Sequence, residues 1–244
     1  MKNIINQISQ RIMTPSDVAS LVVFRVGFGL LMFWEITRYF YFGWVEDLFA
    51  KPQFHFQYEW FRWVVPFPGD GMYLLFAALG ILALMIMFGL FYRIATILFF
   101  LGYTYVFLID QATYNNHFYM ICMLSFVMIV APLHKSWSLD VLRGAETHTD
   151  RLPAIWLWLM RFHMGVVYFY GGIAKFDPDW LNGMAPRELL GAANRGTIFQ
   201  PLMEYAWVPH FYAWSGLLFD LLIPFLMLWK PIRKWAFLSA VLFH

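Results

Sequence analysis

Met72-Tyr-Leu-Leu-Phe-Ala-Ala-Leu-Gly-Ile-Leu-Ala-Leu-Met-Ile-Met-Phe-Gly-Leu90 carries no charged group. At ~1.5 Å of rise per residue, about 20 mostly apolar residues cross the hydrocarbon core of a bilayer. This stretch therefore reads as a membrane span. Comparable runs lie at 18–41, 93–110, 115–132, 154–175 and 211–229, and a seventh starts near Ile232. The expected fold is an all-α, polytopic integral membrane helical bundle. It has about six full spans plus a truncated seventh, in a single transmembrane domain over residues 1–244. Composition agrees, with 61% hydrophobic, 21% aromatic and only 13% charged residues, where soluble domains have about 25% charged. The lipid bilayer is thus the first partner. A net charge of +2 gives no reason to expect nucleic acid. The single cysteine, Cys122, lies in an apolar run, so neither an internal disulfide nor a cysteine metal cluster is expected.

Between the spans, Thr14-Pro-Ser-Asp17 reads as a helix start, with Ser16 or Asp17 capping the first span. Residues 43–68, with Trp44, Trp60 and Trp63, suit a segment lying in the headgroup layer. Residues 134–151 read as an aqueous loop, and 176–210 as a second loop with short interfacial helices. The balance of Lys and Arg places the N-terminus in the cytoplasm. The link between spans three and four then shares the non-cytoplasmic face with the segment after span five. After Lys234 only Trp235 to His244 remain, about 15 Å of helix. The expectation is a product that continues past His244.

Two places on that shared face carry chemistry. The run Ile155-Trp-Leu-Trp-Leu-Met-Arg-Phe-His-Met-Gly-Val-Val-Tyr-Phe-Tyr-Gly-Gly-Ile-Ala-Lys175 ends on an ammonium at the edge of hydrocarbon. Intramembrane ionisable groups are functional-site candidates by default. Desolvation disfavours the charged form of such a group, and a neutral amine is a competent general base. The bland reading is a lysine that snorkels to the interface. Asp110-Gln-Ala-Thr-Tyr-Asn-Asn-His117 is dense in hydrogen-bonding groups. A turn with an N-cap explains one of them, not Asn-Asn-His in series. Asp177-Pro178-Asp179 reads as an N-cap with proline at the first helical position. Arg161, deep in span five, reads as a structural ion-pairing residue for Glu35, Asp110 or Asp220.

Several blocks, in order along the chain, carry a resemblance: Thr14-Pro-Ser-Asp-Val-Ala-Ser-Leu-Val-Val-Phe-Arg25, Gly89-Leu-Phe-Tyr-Arg93, Tyr105-Val-Phe-Leu-Ile-Asp110, Tyr114-Asn-Asn-His117 and Tyr168-Phe-Tyr-Gly-Gly-Ile-Ala-Lys-Phe-Asp-Pro-Asp-Trp180. The chain resembles the transmembrane region of the vitamin K-dependent gamma-glutamyl carboxylase family. That resemblance implies a carboxylase using reduced vitamin K or a related hydroquinone, with O2 and CO2 as co-substrates and a glutamate-containing peptide or protein as substrate. It places Lys175 as the base that deprotonates the hydroquinone. Asn116 and His117 then hold and polarise the reacting oxygen. Tyr114, Asn115, Gly171, Gly172 and His244 fall in the quinone-binding region. The implied sequence runs from quinol anion and dioxygen to an alkoxide that removes a glutamyl γ-proton. The carbanion captures CO2, leaving γ-carboxyglutamate and the quinone epoxide. Gly171 and Gly172, one turn before Lys175, let either another helix or a flat ring approach the backbone. The chain departs from the family pattern at Ala174, where a first lysine is usual, and at Tyr114, where animal members have tryptophan. It also stops before their lumenal β-rich domain. The alternative is a quinone- or haem-binding membrane subunit using His117, His163, His210 and His244, without carboxylase activity.

Overall fold

The computed structural model describes residues 12–197 and 200–243. They form two compact units, divided between Met160 and Arg161. The fold is all-α, with one two-stranded sheet of three residues per strand.

The first unit is built on α1 (Ala19–Tyr41), α2 (Gly71–Phe88), α3 (Tyr92–Ile109) and α4 (Asn116–Val130), each packed on the next along the chain. Its core is a set of stripes: Leu21, Phe28, Met32 and Ile36 of α1, Phe76, Leu79, Ala83 and Ile86 of α2, Phe99 of α3, and Leu124 and Met128 of α4. Gly29 sets the spacing between α1 and α2. A Cβ there would stand 2.6 Å from the Ala83 carbonyl oxygen and 2.7 Å from Met87 Cα, so the two backbones meet closely, as small residues permit between membrane helices. The outward faces are just as apolar: Val23, Leu30, Leu31 and Trp34 on α1, Leu74 and Ile81 on α2, Leu98 and Leu101 on α3 are exposed. A helix apolar on all sides and only partly covered by protein has hydrocarbon as its solvent.

Among the described residues, four helices are long and apolar enough to cross a membrane: α1, α2, α3 and α9 (Trp207–Leu228). The protein is an integral membrane protein. The expected span at 115–132 is a helix of 15 residues, α4, shorter than the other three. The expected span at 154–175 is α6 (Ile155–Ala174), 20 residues long. Arg161, His163 and its tyrosines and tryptophans keep it outside the apolar set. The run after Ile232 is α10 (Arg233–Phe243), 11 residues.

Two expectations about connections need correction. Residues Pro15–Asp17 form strand β1, paired antiparallel with β2 (Arg151–Pro153). Ser16 Oγ therefore donates to the Leu152 carbonyl instead of capping α1. Asp17 Oδ1 does accept the Ala19 N–H, at 2.6 Å, from just ahead of the helix. The stretch 134–151 is not simply an aqueous loop either. It contains α5 (Leu139–Leu142), and His134, Ser136, Ser138 and Asp140 are buried. Asp140 and Ser138 turn inward to accept N–H groups that helix ends leave unpaired. Gly89, at φ 63, ends α2 in the left-handed conformation that suits glycine. Phe91, also left-handed at φ 44, opens α3. The Asp140 carboxylate accepts the N–H groups of Phe91 at 2.9 Å and Tyr92 at 3.0 Å, and pairs with Arg143 at 2.9 Å. Burial alone would raise the Asp140 pKa, but these hydrogen bonds outweigh it and hold the carboxyl below its ordinary value. His134 stacks on Tyr92 with ring centroids 4.6 Å apart. Its Nε2 lies 3.1 Å from Glu146. Desolvation lowers its pKa despite that carboxylate. At the other end, residues 43–68 hold a π-helical turn (Glu46–Ala50) and a 3-10 turn (Glu59–Phe61), with Trp60 and Trp63 exposed as an interfacial segment requires.

The second unit holds α6 from Arg161 onward, α7 (Pro178–Leu181), α8 (Met184–Ala193), a 3-10 turn (Gln200–Glu204), α9 and α10. The region expected to carry short interfacial helices does hold two short helices, α7 and α8. Both pack on α9, which also packs on α10.

Candidate active site

Helix α6 stops at Ala174, and the Lys175 and Phe176 N–H groups close its last turn on the carbonyls of Gly172 and Ile173, each at 3.0 Å. Asp177 then caps α7, accepting the Asp179 N–H at 2.9 Å with Pro178 at the first helical position, as the sequence predicts. This abrupt stop leaves Lys175 at the mouth of a recess formed with α9. Its ammonium is ion-paired with the Asp220 carboxylate. The side chains are only 21% and 10% exposed, respectively. The Gly171 carbonyl lies 3.5 Å from Lys175 Nζ, and the centroid of a Trp180 ring 5.1 Å from it. Trp180 is held by donation from Nε1 to the Ala213 carbonyl on α9, at 3.0 Å.

Three glycines shape this recess. A Cβ on Gly171 would stand 3.4 Å from Asp220 Oδ2, so the missing side chain makes room for the carboxylate. A Cβ on Gly172 would meet the Leu221 side chain at 2.7 Å and its backbone nitrogen at 3.1 Å. Of the two approaches open to the Gly171-Gly172 pair, the one taken is that of another helix, α9. A Cβ on Gly216 would stand 3.8–3.9 Å from Phe243, Trp180 and Lys175 Cε. Phe219 and Phe243 stack with centroids 4.1 Å apart. An ammonium and a carboxylate therefore sit among flat aromatic faces. Such a set fits a phenolic ring with an ionisable hydroxyl.

Asp220 is the residue that the sequence reading left out of the site and weighed only as a partner for Arg161. The signal was present: it is the one carboxylate on an otherwise uncharged apolar helix. Nothing local pairs it with a lysine 45 positions earlier.

The second motif lies in the first unit. Asn115 is the N-cap of α4, its Oδ1 accepting the His117 N–H at 2.8 Å. The same oxygen lies 2.8 Å from His117 Nδ1. One residue of the series thus does the capping, and Asn116 and His117 begin the helix with exposed side chains. When Nδ1 carries the proton given to Asn115, Nε2 is left as an acceptor. Tyr114 is exposed, its ring 5.8 Å from that of Phe107. Asp110 accepts from Ala112 N–H at 2.8 Å and Phe56 N–H at 3.2 Å, tying this link to the interfacial segment. His244 lies outside the described residues.

No solved structure matches this chain. The sequence does match a family: residues 13–244 fit the model of the HTTM domain from end to end of the helical region described above. The chain belongs to the HTTM domain family, a domain found in vitamin K-dependent carboxylase-related proteins.

Proposed function

We propose that this protein is a membrane enzyme of the vitamin K-dependent carboxylase type, oxygenating a hydroquinone and coupling that reaction to carboxylation of a glutamyl side chain, with Lys175 as the base. The observation that carries the reading is the Lys175–Asp220 pair, set at the end of an apolar helix under Trp180. Two charges withdrawn from water persist only when paired and held. A snorkelling lysine has no need of such a partner. The hydroquinone, with O2, supplies the reducing electrons and the strongly basic oxygen that the carboxylation needs. The chain's own part is proton handling and exclusion of water. Lys175 passes its proton to Asp220 and takes a phenolic proton in its place, and a charge-assisted hydrogen bond holds the re-formed ammonium against the phenolate. The Trp180 ring and Gly216 lie against the Lys175 side chain, which is 21% exposed, and this restricts the water that would quench a strong base. For Asn116 and His117 the proposal rests on the resemblance: His117 Nε2 is available to accept from a quinol hydroxyl, and the Asn116 amide to donate to a quinone oxygen.

The test uses the full chain in liposomes with reduced vitamin K, O2, labelled bicarbonate and a glutamyl peptide. Epoxide and fixed label are expected from the wild type and lost in Lys175→Ala. Epoxide formation by that variant at the wild-type rate removes Lys175 as the base. Epoxide without fixed label limits the activity to quinol oxidation.

A further inference from the structure

The polar segment between α4 and α6 does more than close helix ends. Between it and the adjoining ends of α1 and α2 lies a cavity of about 530 Å³, within the ~300–1,000 Å³ usual for ligand sites. Its walls are Val26, Met87, Phe88 and Leu139, with Leu142, Trp137 and His148 at the edge and Arg25 behind the floor. Three features are at odds with a surface built only to face water. Leu142 is 81% exposed and Trp137 84%. Trp137 holds a left-handed backbone, φ 49, which is costly for a bulky residue and marks a constraint imposed by its surroundings. That conformation turns its carbonyl inward to accept from Arg25 Nη2 while the indole stays outside. Arg25 itself is fully buried, and among the described residues its guanidinium donates to the carbonyls of Leu133 and Trp137. Its Nε has no hydrogen-bond partner among the described residues. The nearest acidic group that acts on it, Asp140, is committed to Phe91, Tyr92 and Arg143.

We propose that this cavity is a specific site for an anionic phospholipid, one acyl chain lying along the apolar walls and the phosphate at the rim. The walls continue the outward apolar faces of α1 and α2, which hydrocarbon already covers. An interfacial tryptophan and exposed leucines beside a polar turn belong at the headgroup boundary. A buried guanidinium without a carboxylate partner leaves a net positive field over the floor, and low-dielectric walls strengthen it. The chemistry selected is an apolar chain joined to an anion. This inference does not depend on the carboxylase reading, and its test needs no enzymatic activity.

The full-length protein is purified in detergent and offered equimolar phosphatidylglycerol and phosphatidylcholine of the same chains, with bound lipid read by native mass spectrometry. Retention of one phosphatidylglycerol is expected, preferred by about tenfold, the discrimination of one charge-assisted interaction. Val26→Trp fills the cavity and should lose the bound lipid. Leu142→Glu puts a carboxylate on an exposed rim position and should remove the preference; it carries the test alone if the tryptophan variant does not fold. Equal retention of the two lipids by wild type overturns the proposal, as does an unchanged preference in Leu142→Glu. Displacement of the retained lipid by equimolar neutral quinol would assign the cavity to a quinone tail instead, and would equally overturn it.

Discussion

An ammonium and a carboxylate cannot be removed from the Lys175–Asp220 pair with equal consequences. Lys175→Ala takes away the proposed base, and quinol turnover should fall by at least the ~10²–10⁴ typical of a lost proton-transfer group. Asp220→Asn keeps the shape but removes the carboxylate that takes up the lysine's proton, so it should lower turnover and leave Lys175→Ala with little further to lose. Measuring both single variants and the double variant decides this, since independent roles would multiply instead. The Asn115-Asn116-His117 series separates in the same way. Asn115→Ala removes an N-cap and should cost about 1 kcal/mol of stability, seen as a lower melting temperature. Asn116→Ala and His117→Ala should leave the melting temperature close to wild type and reduce turnover by about 10²–10⁴. Wild-type rates in both would return the series to capping alone. At this scale the sequence was readable where the partner is local: Asp177 and Asn115 cap their own next turns. Asp220 was not, because its meaning comes from a residue on another helix, brought near by Gly171 and Gly172.

Among the elements, the segment 134–151 carries the most legible energetics. Asp140→Asn leaves fewer acceptors for the Phe91 and Tyr92 N–H groups and Arg143, and should destabilise the first unit by ~1–3 kcal/mol, measured by thermal unfolding in detergent. His134 gives this segment a pH response. Its folded-state pKa lies below the ordinary 6.5 because burial disfavours the charged ring, with Glu146 opposing and Arg93 adding to the effect. The stability linked to it is therefore fully present above that value and drains away as pH falls through the folded-state pKa. A plot of melting temperature against pH should slope downward toward acid below about 6.5, and His134→Phe, which keeps the stack on Tyr92, should flatten it. Equal slopes would assign the response to other groups. Spans α1 to α3 followed from apolar runs alone, within a few residues. The polar segment did not, since composition reports how much polarity a stretch has and not which way it points. Buried polar residues that satisfy helix ends, as Asp140 and Ser138 do, look the same in one dimension as residues facing water.

For the molecule as a whole, the apolar exterior fixes lipid as the surroundings, and the antiparallel run of α1 to α4 fixes which links share an end. The Gln111 N–H donates to the Phe56 carbonyl at 2.7 Å, so residues 56 and 111 are at one end of the first unit. The segment around Asp140 is bonded to Gly89, Phe91 and Tyr92 at the other. Single cysteines at Glu59 and Thr147, in a Cys122→Ala background, should accordingly label from opposite sides of a sealed vesicle. Labelling from one side would mean that α4, with 15 residues, does not cross. Where the fold departs from the expected series of long spans, the departures at α4 and α6 trace to length and to interior charge, both visible in the sequence yet outweighed there by overall apolarity. The small sheet has a consequence of another kind, in the order of events during synthesis. Strand β1 pairs with β2 across residues 15–17 and 151–153, and nothing before β2 can take its place. At about 5–20 residues per second, a ribosome needs on the order of ten seconds to deliver that partner. For all of this time the first helices must enter the membrane and find each other with the edge of β1 still open. The clasp is a closing step, made after the bundle it fastens, and a nascent chain stalled anywhere short of Pro153 would carry a recognisable unfinished edge.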